Sequence, residues 1–183
     1  MDDIHLDYFA GYFDADGSVA ISRQRNKNGH MIHQIKCTVC SICPDIPRAF
    51  QARFGGACVI TDWGRKKNPN NRVRIDWTIS SKKCKKFLLE ISPYLRFKQD
   101  QAELALEMQA SLDAYPGGIK KLHPEYDKVM KYRYNLYLQM REIKQKHYLE
   151  HHWNGGEFGG TPKSKRTGQS RAKQDESPGM CRD

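Results

Sequence analysis

Between Leu6 and Gly17 the chain reads as a helix that is apolar or small on almost every side and ends on acids. Leu6, Phe9, Ala10 and Phe13 recur at i, i+3, i+4 and i+7 and make one apolar stripe. Tyr8, Gly11, Tyr12 and Ala15 clothe the other side, and a helix apolar nearly all round is a buried one. The spacing predicts a helix from about Ile4 to Asp16, closed by Gly17 in the left-handed conformation common past a helix end. Small residues at Ala10, Gly11 and Ala15 let a second such helix approach backbone to backbone. The dipole already gathers negative charge at a helix C-terminus, so a carboxylate at Asp16 costs roughly 0.3–1 kcal/mol. Two copies of the helix would also bring two Asp16 carboxylates together, which repel unless a cation bridges them.

Alternation of period two follows. Val19 and Ile21 point one way and Ala20, Ser22, Gln24 and Asn26 the other. After the turn Asn26 to Gly29, a second strand runs from about Met31 to Ser41, with Ile35, Cys37 and Val39 on one face and Gln34, Lys36 and Thr38 on the other. A helix opened by Pro44-Asp45-Ile46-Pro47 closes at Gly55-Gly56. A second hairpin spans about Cys58 to Ile79, with a long basic tip from Gly64 to Asn71. Its return strand sets Val73, Ile75, Trp77 and Ile79 against Arg72, Arg74, Asp76 and Thr78. The rest is helical: Cys84, Phe87, Leu88 and Ile91 up to the break at Ser92-Pro93, a helix from about Tyr94 to before Pro116, and another from near His123-Pro124. The order predicts one α+β domain, helix-β-β-helix-β-β-helix, with a four-stranded antiparallel sheet covered by helices on one face only. That domain is expected to occupy residues 1–150, and 151–183 to be a low-complexity basic tail, disordered for want of apolar residues.

The charge is uneven. The formal net charge is +10 and the pI about 9.3, which favours a polyanionic partner. Between Ser18 and Thr78, eleven Lys or Arg stand against three acids, so much of that excess falls on the two hairpins. No run of about 18 apolar residues is present, so no membrane partner is expected. Met1 to His5 lacks the basic-then-apolar pattern of a signal peptide. An intracellular protein is expected, of an organelle (chloroplast or mitochondrion) or of prokaryotic or phage cytoplasm. Six cysteines then read as reduced thiols. Cys37, Cys40 and Cys43 have zinc-like spacing, but a strand puts Cys37 and Cys40 on opposite faces, and no second cluster completes a site.

Phe9-Ala10-Gly11-Tyr12-Phe13-Asp14-Ala15-Asp16-Gly17 resembles the LAGLIDADG motif of homing endonucleases, with identity at Ala10, Gly11, Asp14, Ala15, Asp16 and Gly17 and aromatics in place of the motif's leucines and isoleucine. The motif occurs once, and the element order over roughly residues 4 to 115 is also similar to the family's. The resemblance implies a saddle-shaped sheet and, for a single-motif chain, a homodimer joined through Phe9, Ala10, Gly11, Phe13 and Asp14. It implies metal at Asp16 and the carbonyl of Ala15, with Mg²⁺ or Mn²⁺ as the cofactor and no organic one. It also implies a catalytic lysine at Lys98 and a structural Asp14. Where the single-motif branch has a polar glutamine and an arginine, this chain offers Ser41 and Arg48 as catalytic candidates. The implied activity is hydrolysis of phosphodiester bonds in double-stranded DNA at a long pseudo-palindromic site. The alternatives are an intron RNA maturase or a non-cleaving DNA-binding protein of the same fold, or a basic protein that binds ribosomal RNA.

Recognition is expected on the polar sheet face, because a two-stranded ribbon fits the major groove and Arg, Lys, Gln and Asn pair with base edges. The first hairpin offers Ser22, Gln24, Asn26, Asn28, Gln34, Lys36 and Thr38, and the second Arg72, Arg74, Asp76 and Thr78. Arg65, Lys66 and Lys67 at the tip are expected to hold phosphates.

Overall fold

The structure, a computed structural model, describes residues 5–27, 29–62, 70, 72–116 and 118–151, the last five by backbone alone. Asn28, Arg65, Lys66, Lys67 and all but the first residue of the expected tail lie outside the described residues. The chain runs α1 (Leu6–Asp16), β1 (Gly17–Arg25), β2 (Met31–Ser41), α2 (Asp45–Phe54), β3 (Ala57–Thr61), β4 (Arg74–Ser80) and α3 (Ser81–Ile91). A 3₁₀ turn (Ser92–Tyr94), α4 (Gln99–Asp113) and α5 (Tyr126–His151) follow. This is the expected α+β order.

All strand pairs are antiparallel, in the order β1-β2-β4-β3. Asn26 closes the first hairpin: its Oδ1 accepts the His30 N–H at 2.8 Å and its carbonyl the Gly29 N–H at 3.0 Å. β4 pairs with β2 from Lys36 opposite Ser80 to Ser41 opposite Ile75, so the second hairpin's return strand lies inside the sheet and β3 forms its edge. Period-two patterning fixes this register, since a one-residue slip would turn Val39, Trp77 and Ile79 out to solvent.

The helices cover one face. Phe9, Phe13, Phe50, Trp77 and Phe87 are fully or almost fully buried and meet edge to face or tilted, for example Phe9 on Phe50 at 4.9 Å and Trp77 on Phe87 at 5.1 Å between ring centres. Each such ring contributes roughly 1.5–3 kcal/mol by burial. The Trp77 Nε1–H donates to the Gly55 carbonyl at 2.7 Å. Gly56 (φ 91°) approaches so closely that a Cβ there would stand 2.6 Å from the Thr78 carbonyl oxygen. α5 lies across α4 and β1, burying Leu136 and Met140 and setting the Arg23 guanidinium 4.6 Å from the Tyr134 ring centre.

Three expectations are corrected. Gly17 is not left-handed: its φ of −79° and ψ of 166° are extended, and β1 begins on it at once. A glycine is needed there for space, because a Cβ would lie 2.4 Å from Phe13 Cδ2 and 2.5 Å from the Phe13 carbonyl oxygen. The helix expected from Tyr94 starts five residues later, at Gln99, because the backbone at Arg96 and Lys98 is held by Asp14 instead. α1 is not buried all round either: Phe9, Ala10 and Phe13 enter their own core, whereas Tyr8, Gly11 and Ala15 are exposed.

The cysteines divide as strand alternation requires. Cys37 is buried with its Sγ 3.4 Å from that of Cys84, while Cys40 lies on the opposite face beside Asp76. Burial pushes the Cys37 thiol up well above its usual range, with the Cys84 contact adding to it.

Candidate active site and nucleic-acid interface

Asp16 ends α1 with its carboxylate exposed, and Ala15 beside it is exposed as well. The last carbonyls of a helix have no partner inside it, so this end presents peptide oxygens next to the carboxylate. Among the described residues no three His, Cys, Asp or Glu side chains gather as a metal site.

Asp14, two residues earlier and so on the other side of the helix, faces the loop before α4. Its carboxylate accepts the backbone N–H of Arg96 at 2.7 Å and of Lys98 at 3.0 Å, and its carbonyl accepts from the Lys98 ammonium. Asp14 thus fixes the loop that carries Lys98. Burial lowers the Lys98 pKa, opposed by the charges of Asp14 and Asp16, which places its ammonium within electrostatic reach of the exposed carboxylate.

Two residues that motif reasoning missed complete this corner. Tyr12, four residues before Asp16 and hence on the same helix face, shares hydrogen bonding with Ser41 and Asp16. Burial raises its phenol, hydrogen bonding to Ser41 opposes that, and the charge of Asp16 and bonding to it add to the rise. The helical spacing carried that signal. Lys144 of α5 had none. Its ammonium donates to Ser18 Oγ at 3.0 Å, burial lowers its pKa, and its charge acts in turn on Lys98. Two half-buried ammonium groups, one from the loop before α4 and one from α5, therefore approach the junction of α1 and β1. Asp16, Ser41 and Lys98 are brought together, and Arg48 is not. It lies exposed on α2, where its charge acts on the Cys58 thiol of β3, and among the described residues no hydrogen bond or ion pair joins it to Asp16 or Lys98.

The five residues expected to join two copies split by burial. Phe9, Ala10 and Phe13 are committed to the chain's own core and Asp14 to its loop, which leaves Gly11 exposed. The open strip of α1 is Tyr8, Gly11 and Ala15, with Tyr12 half-buried at its edge. A Cβ on Gly11 would meet nothing within 4 Å.

The uncovered sheet face carries the expected polar side chains in register. Ser22 pairs with Gln34, Ser18 with Thr38, and Thr38 with Thr78. Ser22, Gln34, Lys36 and Thr38 are half-buried, and Gln24 and Arg74 exposed, whereas Arg72, expected on the return strand, lies outside it because β4 begins only at Arg74. Some are already engaged: Gln34 Nε2 donates to Ser81 Oγ at 3.0 Å, Thr61 Oγ1 to Asp76 at 2.9 Å, and the Arg74 guanidinium lies 3.1 Å from the Asp76 carboxylate. Asp76 thus orients Arg74 on the surface.

The chain superposes on the homing endonuclease I-CvuI in complex with its target, with a TM-score of 0.61 at 17% identity over 75% of this chain and 80% of that one. The archaeal intron-encoded homing endonuclease I-Vdi141I, complexed with DNA, gives 0.60 at 16% over 75% and 82%. The LAGLIDADG homing endonuclease I-GzeII, in complex with a DNA target, gives 0.60 at 15% over 79% of this chain and 49% of its own length. The fold is that of a LAGLIDADG homing endonuclease. No protein-family model and no curated protein matches the chain in sequence. The LAGLIDADG likeness therefore rests on two independent legs, the architecture and the nine residues from Phe9 to Gly17. No described helix is long and apolar enough to cross a membrane.

Proposed function

We propose that the chain is a site-specific double-stranded DNA endonuclease of the LAGLIDADG family's single-motif branch, acting as a homodimer with Mg²⁺ or Mn²⁺. One observation carries the reading: an exposed carboxylate, Asp16, ends the helix whose open strip holds the small residues Gly11 and Ala15, and a half-buried lysine, Lys98, is held beside it. Asp16 and the Ala15 carbonyl are hard oxygen donors of the kind these ions prefer, and the fit is incomplete within one chain. The remaining donors would have to come from outside the chain, with a second copy's Asp16 as one of them. The bound ion would activate a water and stabilise the attacking and leaving oxygens.

The chain's own residues do the rest. Lys98 and Lys144 stabilise charge developing on the phosphate; burial lowers the pKa of each, and the charges of Asp14 and Asp16 oppose that at Lys98. The Tyr12 and Ser41 hydroxyls hold water against Asp16. No side chain stands as a general base, so solvent takes the proton. Each protomer cuts one strand, giving a staggered break. Ser22, Gln24, Lys36, Thr38, Arg72, Arg74 and Thr78 read bases in the groove, with Arg74 oriented by Asp76.

The test is linearisation of a plasmid carrying the intron-insertion sequence of the host gene, in Mg²⁺. The native protein cuts; Asp16→Asn binds the same duplex and does not. Cutting by that variant refutes the assignment, and binding without cutting by the native protein moves the chain to the non-cleaving reading.

A further inference from the structure

The edge strand β3 has no place among the residues expected to touch DNA, yet three of its five side chains belong to the open face of the sheet. Its register settles which ones. Ala57 stands opposite Thr78, Val59 opposite Asp76 and Thr61 opposite Arg74, and directly opposed residues of an antiparallel pair share a face. Hydrogen bonding fixes the side, since the Thr61 hydroxyl donates to the Asp76 carboxylate at 2.9 Å across the two strands. From β2, Cys40 lies opposite Asp76 on that face, and its thiol bonds to the same carboxylate.

Val59 departs from the character of this surface. It is 57% exposed, with Ala57 exposed two residues before it, while the other strands present mostly Ser, Thr, Gln, Lys and Arg there. A single exposed valine needs no explanation by itself. Its neighbours supply one.

Arg74 stands diagonally across from Val59, at the separation of about 7–8 Å that such pairs keep. Its guanidinium meets Asp76 side-on, Nε at 3.1 Å from one carboxylate oxygen and Nη2 at 3.4 Å from the other. A side-on pair leaves the far edge of the fork, Nη1 and the second hydrogen of Nη2, for a planar acceptor pair such as guanine O6 and N7. The Asp76 carboxylate is shared by Thr61, Cys40 and Arg74, so it positions the arginine and does not itself read a base, contrary to the expectation from sequence. The major-groove edge of a base pair offers one apolar group, the thymine C5 methyl, and Val59 is the exposed apolar side chain beside this arginine. Along DNA, about 7–8 Å corresponds to about two steps of 3.4 Å.

We propose that β3 and β4 together read a T·A pair and a G·C pair within about three base pairs of each other in each half-site. Val59 contacts the thymine methyl, and Arg74, positioned by Asp76, bonds to the guanine. The inference rests on the DNA-reading role proposed for the sheet and gives that role part of its sequence preference. Its test requires no cleavage.

The full native chain, without divalent metal, selects duplexes from a random pool, and the tightest is remade with single base analogues. Deoxyuridine replaces each thymidine in turn, removing one methyl, and 7-deazaguanine replaces each guanine, removing N7; fluorescence anisotropy measures each affinity. One thymidine of each half-site is expected to lose several-fold in affinity as uridine, and one guanine nearby about ten-fold as the deaza analogue. Val59→Ser, at an exposed position, should abolish the uridine loss at that thymidine alone, and Arg74→Ala the deaza loss at that guanine alone. Asp76→Asn should cut the preference for guanine over adenine at that pair about ten-fold and leave other positions unchanged, a pattern that weakened folding does not produce. A chain that selects no sequence overturns this proposal together with the reading beneath it. A chain that selects a sequence is the separate case: uridine losses that persist in Val59→Ser, or an Arg74-dependent guanine with no Val59-dependent thymine within about three base pairs, overturn this proposal alone.

Discussion

Gly17→Ala separates two reasons for a glycine after Asp16. The backbone there is extended, a conformation open to alanine, so the substitution should gain about 0.4–1 kcal/mol by restricting the unfolded chain if nothing else intervened. The added Cβ would instead lie 2.4 Å and 2.7 Å from two Phe13 ring carbons and 2.5 Å from the Phe13 carbonyl oxygen. Ordinary contact begins near 3.4 Å, so the ring or the helix end must retreat by about 1 Å into a core where Phe13 is fully buried against Phe87. Overpacking of that kind costs about 1–3 kcal/mol, which leaves a net loss of about 1–2 kcal/mol. Urea unfolding measures it, and Phe13→Leu supplies the control. With the ring gone, part of the Gly17→Ala penalty should vanish, by at least about 0.5 kcal/mol of coupling. A left-handed glycine would give a penalty indifferent to Phe13. If Gly17→Ala is neutral or stabilising, or if the cycle shows no coupling, the close-packing account is wrong.

Burial, with help from Arg133 and Arg23, holds the His33 imidazole down to about 4. A folded-state pKa below the ordinary 6.5 means that the unfolded chain takes up the proton first. Stability is therefore full above about pH 6.5 and falls as pH drops towards 4, by on the order of 3 kcal/mol. Urea midpoints of His33→Gln across that window should be flatter than those of the native chain; parallel curves would contradict the assignment. Lys144→Met removes a half-buried ammonium and should leave the fold at least as stable while slowing cleavage about ten-fold or more, read as kcat in single-turnover assays. Unchanged cleavage would remove Lys144 from the active corner. Thiol labelling followed by peptide mapping should find Cys43 fast and Cys37 and Cys84 protected until unfolding, since only the first is exposed.

What the sequence disclosed follows from which interactions are local. Period-two alternation gave β1, β2 and β4 and their open face, because burial on one side of a sheet is written into every second residue, while β3 was legible only as the other arm of the second hairpin. The place of Asp16 at the end of α1 was legible because a motif of nine residues is contiguous. The error at Gly17 arose because a helix-ending glycine has two physical causes, and only the three-dimensional position of the Phe13 ring distinguishes them. Asp14 reaches 82 residues along the chain to Arg96, and the helix start at Gln99 moved with that contact, which no window of sequence contains. Lys144 belongs to the same class: on α5 it is one lysine among several, and only the packing of that helix on β1 brings it to Ser18.

The split of α1 into a buried stripe and an open one bears most directly on how two copies would meet in the proposed dimer. Phe9, Ala10 and Phe13 are spent within the chain, so the expected contact passes through Tyr8, Gly11 and Ala15. Light scattering coupled to size exclusion measures it. The native chain should have twice the 21.2 kDa of one chain, and Gly11→Arg, at a position where a Cβ meets nothing within its own fold, should halve that mass and remove the concentration dependence of the unfolding midpoint. A native protein of single-chain mass both free and on duplex DNA, or a Gly11→Arg protein that remains dimeric, would contradict the pairing of two Asp16 carboxylates on which the account rests.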